Sequence, residues 1–144
     1  MDTMIQKLDE TNVKRILQEC HLPVSDITPA HLKDFFASGD SSGLFGVIGL
    51  EVYGNVALLR SLAVLVKHRG AGVGKRLVVH AEKHALAQAV RTIYLLTTTA
   101  DNFFSKLGYS SVSRDQAPSV IRGTAEFSTL CPSTSIFMIK RLGS

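Results

Sequence analysis

The sequence predicts an α/β fold in which helices pack on one mixed sheet. The spacing of apolar residues changes along the chain, from a helical period near the N-terminus to strand-like runs in the middle. A further helical pattern separates those runs from another apolar run, "RTIYLLTT", so that strands and helices interleave. The 144 residues suit one domain, residues 1–144, that is long enough to bury a core.

The N-terminal third predicts one strand and two helices. "TMIQKL" alternates and predicts a short strand, and "DETNVKRILQEC" predicts a helix that Asp9 caps. "TPAHLKDFFA" predicts a second helix, with Thr28 as its N-cap and Pro29 at its first position. We expect a loop over residues 38–43, "SGDSSG".

The remainder predicts a hairpin and then alternating helices and strands. "LFGVIGLEVYG" and "VALLRSLAVLV" are two strands joined by a tight turn at Gly54-Asn55. A helix follows from Gly72 to about Ala89, and "RTIYLLTT" is the next strand. "DNFFSKLGY" predicts a short helix capped by Asp101 or Asn102, and "STSIFMIKRL" a final strand.

Composition excludes several protein classes. Hydrophobic residues make up 45% and charged residues 19%, which is ordinary for globular proteins, and no apolar run is long enough to cross a membrane. The N-terminus lacks the apolar stretch of a signal peptide, so we expect a cytoplasmic protein. Cys20 and Cys131 show no metal-ligand spacing, and reduced thiols are expected.

The charge of the chain indicates one anionic ligand more than a nucleic acid. The net charge is +4, and four cations fall in the stretch "VKHRGAGVGKRL": Lys67, Arg69, Lys75 and Arg76. The sequence has no long basic arm and no basic run interleaved with aromatic residues. We therefore expect a small-molecule ligand and no nucleic-acid partner.

The same stretch predicts a phosphate site. It follows a strand and opens a helix, so glycine backbone N–H groups and a helix N-terminus converge there. Two common motifs fail by spacing: Arg69 and Arg76 stand where a P-loop needs glycine and Ser/Thr, and Lys75 stands where a dinucleotide fingerprint needs glycine. The alternative is a plain glycine-rich turn with solvated charges.

Two segments resemble the acetyl-CoA motifs of the GNAT family of N-acetyltransferases. "LAVLVKHRGAGVGKRLV" resembles the cofactor-binding strand, turn and helix, and "FFSKLGY" resembles the family's later F-Y-x-K-x-G-F helix. The resemblance implies acetyl-CoA as co-substrate. It also implies a mixed, mostly antiparallel sheet with a splayed V between two central strands and helices on both faces.

The resemblance also implies site residues. Leu62 would stabilise the tetrahedral oxyanion through its backbone N–H, a catalytic role. The strand around it would pair with the pantetheine arm, and the glycine turn would wrap the pyrophosphate. The implied cofactor-binding residues are Leu62, Ala63, Val64, Arg69, Gly70, Ala71, Gly72, Val73, Gly74, Lys75, Asn102 and Phe104.

The usual proton-transfer groups of the family are missing here. Leu58 stands where a carboxylate base is common, and Phe104 where a tyrosine often protonates the thiolate. Glu51 is the candidate base, or alternatively a charge on an exposed hairpin face. Tyr53 has the same strand parity and either orients substrate, acts as an acid, or packs as an aromatic.

Arg60 interrupts an apolar strand and needs an anionic partner. Either it binds an acidic substrate, which we favour, or it pairs with a carboxylate of the protein. We also expect Ser38, in a loop over residues 37–39, and the segment Thr124–Ser135 to wall the acceptor pocket. His80 and His84 lack the spacing of a zinc motif, so no metal site is predicted.

The C-terminal part resembles a narrower subgroup. The segment "APSVIRGTAEFSTLCPSTSIFMIKRL", with "LLRSLAV" and "TTTADNFFSKLGY", resembles bacterial arsinothricin N-acetyltransferases. These enzymes occur with arsenic-resistance genes and are related to phosphinothricin acetyltransferases. That resemblance implies detoxification by acetylating the α-amino group of a glutamate analogue, and a homodimer. A peptide or polyamine acetyltransferase, or a non-catalytic CoA-binding sensor, are the alternatives.

Overall fold

The computed structural model describes residues 3–5, 8–22, 24–40, 43–130 and 134–143. Four α-helices are α1 (Glu10–Glu19), α2 (Val73–Ala87), α3 (Asp101–Lys106) and α4 (Ser119–Arg122), and a π-helical segment covers Glu126–Leu130. The strands are β1 (Thr3–Ile5), β2 (Phe35–Asp40), β3 (Gly43–Tyr53), β4 (Val56–Val64), β5 (Thr92–Thr97), β6 (Ser110–Ser111) and β7 (Ile136–Arg141).

The described strands form one mixed sheet in the order β1-β2-β3-β4-β5-β7-β6. Every neighbouring pair is antiparallel except β4 with β5, which is parallel. The parallel pairing runs from Val56–Thr92 to Leu58–Tyr94 and then stops, so the two strands separate beyond it. The predicted mixed sheet with a splayed V between two central strands is confirmed.

Helices cover both faces of the sheet, as predicted. On one face α2 buries Leu77, Val78 and Ala81 against the central strands. On the other face α1 buries Val13, Ile16 and Leu17 against a second apolar cluster, and Asp9 caps this helix by accepting a hydrogen bond from the Thr11 N–H. Each fully buried leucine or isoleucine contributes about 1.5–3 kcal/mol by leaving water.

The second predicted helix is wrong. Residues His31–Asp34 form one 3₁₀ turn, and the following residues are strand β2, which also takes up Ser38–Asp40 of the predicted loop. Phe35 and Phe36 are both almost fully buried, and they lie in two different clusters on opposite faces of the sheet. A strand that is buried on both faces has adjacent apolar residues, without the alternation that identifies a half-buried strand. Pairing with β1 and β3 outweighs the local helix-start signal at Thr28.

The other predicted elements are present, with one cap that differs, whereas β6, α4 and the π-helical segment were not predicted. Gly54 makes the hairpin turn with φ of 66°, and Gly72 is the N-cap of α2. The residue that caps α3 is Ala100, so neither Asp101 nor Asn102 has the expected role. Gln6, Lys7, Ser41, Ser42 and Cys131 lie outside the described residues. The longest described helix, α2, has 15 residues, and no described helix has the length and apolarity needed to cross a bilayer.

Candidate functional site

The splayed strands open into a large cavity. Its volume is about 1000 Å³, and one wall is β4 from Leu58 to Val64. The opposite wall is β5 from Leu95, continuing through the residues up to Ala100. Because β4 and β5 no longer pair beyond Leu58 and Tyr94, their backbones leave room for a ligand between them.

A β-bulge reshapes β4 at the centre of this wall. Gly49 pairs with Arg60 and Val47 pairs with Ala63, so a single residue of β3 faces both Ser61 and Leu62. Ser61 has φ of 60°, the left-handed region that a serine rarely adopts. A bulge leaves one residue outside the hydrogen-bonded ladder and bends the strand. The direction of the backbone N–H and C=O groups of β4 therefore changes where the two walls of the cavity diverge.

The glycine turn also lines the cavity. Gly70 and Gly72 have φ of 84° and 81°, which favour glycine, and both line the cavity together with Val73, Gly74 and Lys75. The first bond of α2 runs from the Arg76 N–H to the Gly72 carbonyl. The N–H groups of the first turn therefore have no partner within the helix, and they present a partial positive charge to an anion.

Two cations brace this turn. The Arg69 Nε donates to the Val64 carbonyl at 2.8 Å, which ties the turn to the end of β4. The Arg76 Nη1 donates to the Ala71 carbonyl at 3.1 Å. Ala71 is thus part of the turn, although the cavity lining does not include it among the described residues.

A charge cluster around the buried Arg60 also borders the cavity. The Arg60 side chain is 1% exposed, and it contacts Asp26 at 2.5 and 2.8 Å, Glu51 at 2.6 Å and Glu126 at 3.3 Å. Its Nε donates to the Ser61 hydroxyl at 3.1 Å. The five N–H donors of the guanidinium therefore all face acceptors within the protein.

Electrostatics keep Arg60 and Asp26 ionised. Burial by itself would lower the pKa of Arg60, but hydrogen bonding to Asp26 and the charge of Glu126 outweigh it and raise the pKa. Burial likewise would raise the pKa of Asp26, but the hydrogen bond and charge of Arg60 hold it below 3.8. The structure shows the ion-pair alternative for Arg60, with three carboxylates of the protein around it, whereas its binding of an acidic substrate stays a prediction.

Glu51 and Tyr53 lie behind Arg60. The Tyr53 hydroxyl donates to Glu51, and burial, followed by that carboxylate, raises the pKa of Tyr53. Glu51 in turn accepts a hydrogen bond from Arg60. Neither side chain is among the described residues that line the cavity, so the structure does not bring the predicted base and acid to the cavity wall.

The remaining predicted site residues divide into two groups. Leu62, Ala63, Val64 and Phe104 line the cavity. Asn102 is exposed on α3, and Ser38 is fully buried within β2; neither is among the described lining residues. The predicted acceptor role of Ser38 assumed a loop, and the strand instead holds it between β1 and β3.

The C-terminal segment contributes to the cavity, as expected. Glu126 and Ser135 are 6% exposed, and both line the cavity. Sequence reasoning did not single out these two residues or Asp26. Arg60 was the one indication in the sequence, because a buried arginine needs carboxylate partners. Since these partners are far from Arg60 in sequence, the sequence does not show which carboxylates they are.

The two histidines of α2 have other contacts. The His84 Nε2 lies 2.9 Å from an Asp34 oxygen, and the His80 ring packs edge-on against Phe36. Among the described residues, one grouping of potential metal ligands is found, Asp26, His31 and Glu51, with ligand atoms within 4.8 Å of one another. Both carboxylates in that grouping bind Arg60, which makes it part of the charge cluster.

Comparisons with known proteins agree with this geometry. The family model described as acetyltransferase (GNAT) domain matches residues 32–111, more than half of the chain. An uncharacterized N-acetyltransferase of Chlorobaculum tepidum is 32% identical over 92 residues, which are 63% of this chain and 59% of that protein.

Solved structures show the same fold. N-acetylglutamate synthase from Neisseria gonorrhoeae, complexed with coenzyme A and N-acetyl-glutamate, has a TM-score of 0.83 at 19% identity, over 100% of this chain and 36% of that one. A GNAT-family acetyltransferase from Staphylococcus aureus Mu50 has a TM-score of 0.78 at 18% identity, over 99% and 100% of the two chains. The splayed strands, the glycine turn and the family match together show that this chain belongs to the GNAT acetyltransferase family.

Proposed function

We propose that this protein transfers an acetyl group from acetyl-CoA directly to the amine of a small molecule. One observation carries the proposal: a single cavity joins the glycine turn at the start of α2 to the opening between β4 and β5. An anionic cofactor and an acceptor can therefore meet in one chamber, so that no covalent enzyme intermediate is needed.

The glycine turn suits the pyrophosphate of acetyl-CoA. Positive φ at Gly70 and Gly72 and the free first-turn N–H groups of α2 form an anion site at the cavity wall. A Cβ at Gly74 would lie 3.3 Å from the Phe103 ring, so the absence of a side chain there lets the turn pack closely. The turn thus accepts a phosphate group without displacing a side chain.

The unpaired edge of β4 suits the pantetheine arm. Past Leu58 the strand has no partner in β5, so backbone groups from Leu62 to Val64 can pair with the amides of an extended ligand. The bulge at Ser61 and Leu62 interrupts the β3–β4 pairing of the same strand, and we propose the Leu62 N–H as the donor to the thioester oxygen. The acetyl group would then lie between the two walls.

Proton transfer in this site needs little help from side chains. Leu58 and Phe104 offer no titratable group, and Phe104 is buried at the cavity wall. An α-amino group has a pKa of about 7.7–8.0, so a sizeable fraction is neutral at pH 7 to 8. We therefore propose Glu51 and Tyr53 as positioning residues that hold Arg60, with water carrying the proton away.

The acidic acceptor class now depends on resemblance alone. The C-terminal similarity to arsinothricin and phosphinothricin acetyltransferases supports a glutamate analogue. A synthase of the same fold has been solved with N-acetyl-glutamate. The residue that suggested such an acceptor, Arg60, is saturated by Asp26, Glu51 and Glu126. Glutamate analogues are thus the first acceptors to test.

A thiol-release assay tests the proposal. Purified protein with acetyl-CoA is given a panel of amines, including glutamate, phosphinothricin, a diamine and a peptide, and free CoA is measured. We expect turnover with at least one small amine and micromolar binding of acetyl-CoA by calorimetry. Binding without any turnover would instead support the CoA-binding sensor, and turnover of the peptide alone would contradict a small-molecule acceptor.

A further inference from the structure

The bulged residue Ser61 combines an unusual backbone conformation with a polar side chain at the cavity. Its φ of 60° lies in the left-handed region, which serine rarely adopts. The residue is 8% exposed and lines the cavity together with the strand residues from Leu62 to Val64. Strained backbone persists only where the surrounding structure enforces it, and it occurs often at ligand sites. The Ser61 side chain is therefore a candidate for contact with a ligand in the cavity.

The Ser61 hydroxyl uses its oxygen within the protein and leaves its O–H for a ligand. The Arg60 Nε donates to the oxygen at 3.1 Å, and no residue that the structure describes accepts a hydrogen bond from the O–H. A hydroxyl can accept and donate at the same time. A buried donor without an acceptor is unfavourable, and an acceptor atom in the cavity would satisfy it.

The contact with Arg60 makes this hydroxyl a stronger donor. The Nε of Arg60 faces the Ser61 oxygen, whereas its two Nη atoms contact the three carboxylates of the charge cluster. A hydrogen bond from a cationic donor is stronger than one from a neutral donor, and hydrogen bonds in a chain polarise one another. The O–H of Ser61 therefore suits an oxygen that gains negative charge during a reaction.

We propose that the Ser61 hydroxyl donates a hydrogen bond to the carbonyl oxygen of the acetyl group, as a second donor beside the Leu62 N–H. This rests on the acetyltransferase function proposed above. When the amine nitrogen attacks the carbonyl carbon, the π electrons of the C=O bond move to the oxygen, and Ser61 stabilises the negative charge formed there. When the C=O bond forms again, the C–S bond breaks, CoA leaves as a thiolate, and the amine proton passes to water.

A second hydroxyl at the cavity is the rival donor. The Ser135 Oγ is buried without a hydrogen-bond partner among the described residues, and Ser135 also lines the cavity. Ser135 directly precedes β7, which pairs with the β5 wall, whereas Ser61 adjoins Leu62 in the strand that would hold the pantetheine arm. The bond from Arg60 to the Ser61 oxygen further favours Ser61 as the donor.

The carbonyl signal of bound acetyl-CoA tests the contact without any acceptor amine. Acetyl-CoA labelled with ¹³C at the carbonyl carbon is bound to saturation, and its ¹³C chemical shift is measured by NMR. A hydrogen bond to the oxygen withdraws electrons from the carbonyl carbon and moves the signal downfield. We therefore expect the signal in Ser61→Ala to lie upfield of the signal in the parent protein. An unchanged signal in the folded variant would overturn the inference.

Three further variants complete this measurement. Ser61→Gly also lacks the hydroxyl but adopts a φ of 60° without strain, so it covers the case in which Ser61→Ala fails to fold, and its signal should also lie upfield. Ser113→Ala is the matched control, because it removes an exposed hydroxyl that accepts from the Asp115 N–H outside the described cavity lining. Its signal should equal that of the parent. An upfield signal in Ser135→Ala, with none in the Ser61 variants, would assign the donor to Ser135 and overturn the inference.

Turnover tests the stabilisation of the negative charge. With an amine that the protein acetylates, Ser61→Ala should lower kcat about 100-fold, the usual effect of removing one oxyanion donor, with little change in KM for acetyl-CoA. A raised KM with an unchanged kcat would overturn the catalytic role. Absence of turnover with every amine would contradict the acetyltransferase function, and the ¹³C signal would still decide whether Ser61 contacts the acetyl group.

Discussion

At the residue scale, the position of Arg60 in the sequence predicted an anionic partner but did not identify it. An arginine inside an apolar strand demands an anion, and the sequence alone left substrate and protein carboxylates as alternatives. The structure supplies three carboxylates, from the loop after α1, from β3 and from the π-helical segment. Arg60 therefore joins the three segments by ion pairs at the wall of the cavity.

Replacing Arg60 should destabilise the fold more than it alters catalysis. Arg60→Met leaves three carboxylates without their cation, of which Glu51 and Glu126 are buried. Breaking a buried ion pair from one side costs about 3–5 kcal/mol. Urea unfolding measures the loss, and Arg122→Met is a control, since Arg122 is an exposed arginine whose bonds go to backbone carbonyls. A stable Arg60→Met protein with a raised acceptor KM would show that Arg60 binds substrate after all.

Gly72 is the residue at which the cofactor site is best tested. Gly72→Glu places a carboxylate beside the first turn of α2, so acetyl-CoA affinity should fall at least ~100-fold, about 2.7 kcal/mol. The change also strains the backbone, because φ is 81°. Gly54→Glu is the matched control: φ is 66° and the position is open, but it lies in the β3–β4 turn.

Calorimetry with acetyl-CoA distinguishes the two glycine variants. Both should lose a similar, small part of their stability, about 1 kcal/mol, from the left-handed backbone conformation. The Gly54 variant should bind acetyl-CoA normally. Normal binding by folded Gly72→Glu would remove the phosphate assignment.

At the scale of elements, the bulge in β4 does what an even strand could not. It puts Arg60 and Ala63 on the same face of the sheet although they are three residues apart, because their partners Gly49 and Val47 share that face. Arg60 therefore contacts the charge cluster on the face where Ala63 packs on the α1 side. The left-handed Ser61 lies at the change, and its hydroxyl accepts from the Arg60 Nε. The bulge thus lies next to the charge cluster, in the strand that forms one wall of the cavity.

The bulge should be sensitive to branching at Cβ. Ser61→Val forces a β-branched residue into left-handed backbone and removes the acceptor for Arg60, which should cost about 2 kcal/mol. Ser110→Val, at an exposed position in β6, is the control and should change stability by less than about 0.5 kcal/mol. Denaturant unfolding measures both; equal, small effects would mean that the bulge tolerates the change.

At the scale of the whole molecule, two polar contacts join α2 to Tyr109 and to strand β7. The Tyr109 hydroxyl donates to Glu82 of α2 at 2.9 Å, and Lys140 of β7 contacts the same carboxylate at 3.0 Å. Burial, followed by the charge of Glu82, raises the pKa of Tyr109 above its usual 10.0. The neutral phenol is therefore the form that the folded protein holds.

The pH dependence of stability follows from that shift. Since the folded pKa is raised, the contribution of Tyr109 is complete below pH 10 and is lost as pH rises above it, where the unfolded phenol ionises. Tyr109→Phe should be less stable than the parent at pH 7 by about 0.5–1.5 kcal/mol. The difference should shrink between pH 10 and 11 in urea titrations; a constant difference would contradict a buried neutral phenol.

Assembly stays a prediction at this scale. The resemblance in the tail implies a homodimer through sheet edges. The edges of the described sheet are β1, with three residues, and β6, with two. Such short edges offer few backbone bonds to a second copy, so side-chain contacts would have to supply most of such an interface.

The mistaken helix marks the limit of local signals. Thr28 and Pro29 form a good helix start by propensity, yet residues 35–40 pair with strands on both sides. In the structure the His31 ring approaches the Thr28 N–H and hydroxyl, so local side-chain bonding replaces the expected cap. Pairing with strands that are distant in sequence determined the conformation of residues 35–40. A prediction from a window of ten residues cannot include such pairing.

The sequence was enough to predict the anion site at the start of α2. The glycine spacing, the strand before it and the amphipathic helix after it are contiguous, so local rules were enough to place an anion site and the family resemblance. The charge cluster at the cavity, in contrast, could not be predicted from the sequence. Asp26, Glu51, Arg60, Glu126 and Ser135 come together through the order of the strands and the return of the C-terminal segment. The net charge of a buried site depends on which side chains meet there, and their distance along the chain does not reveal it.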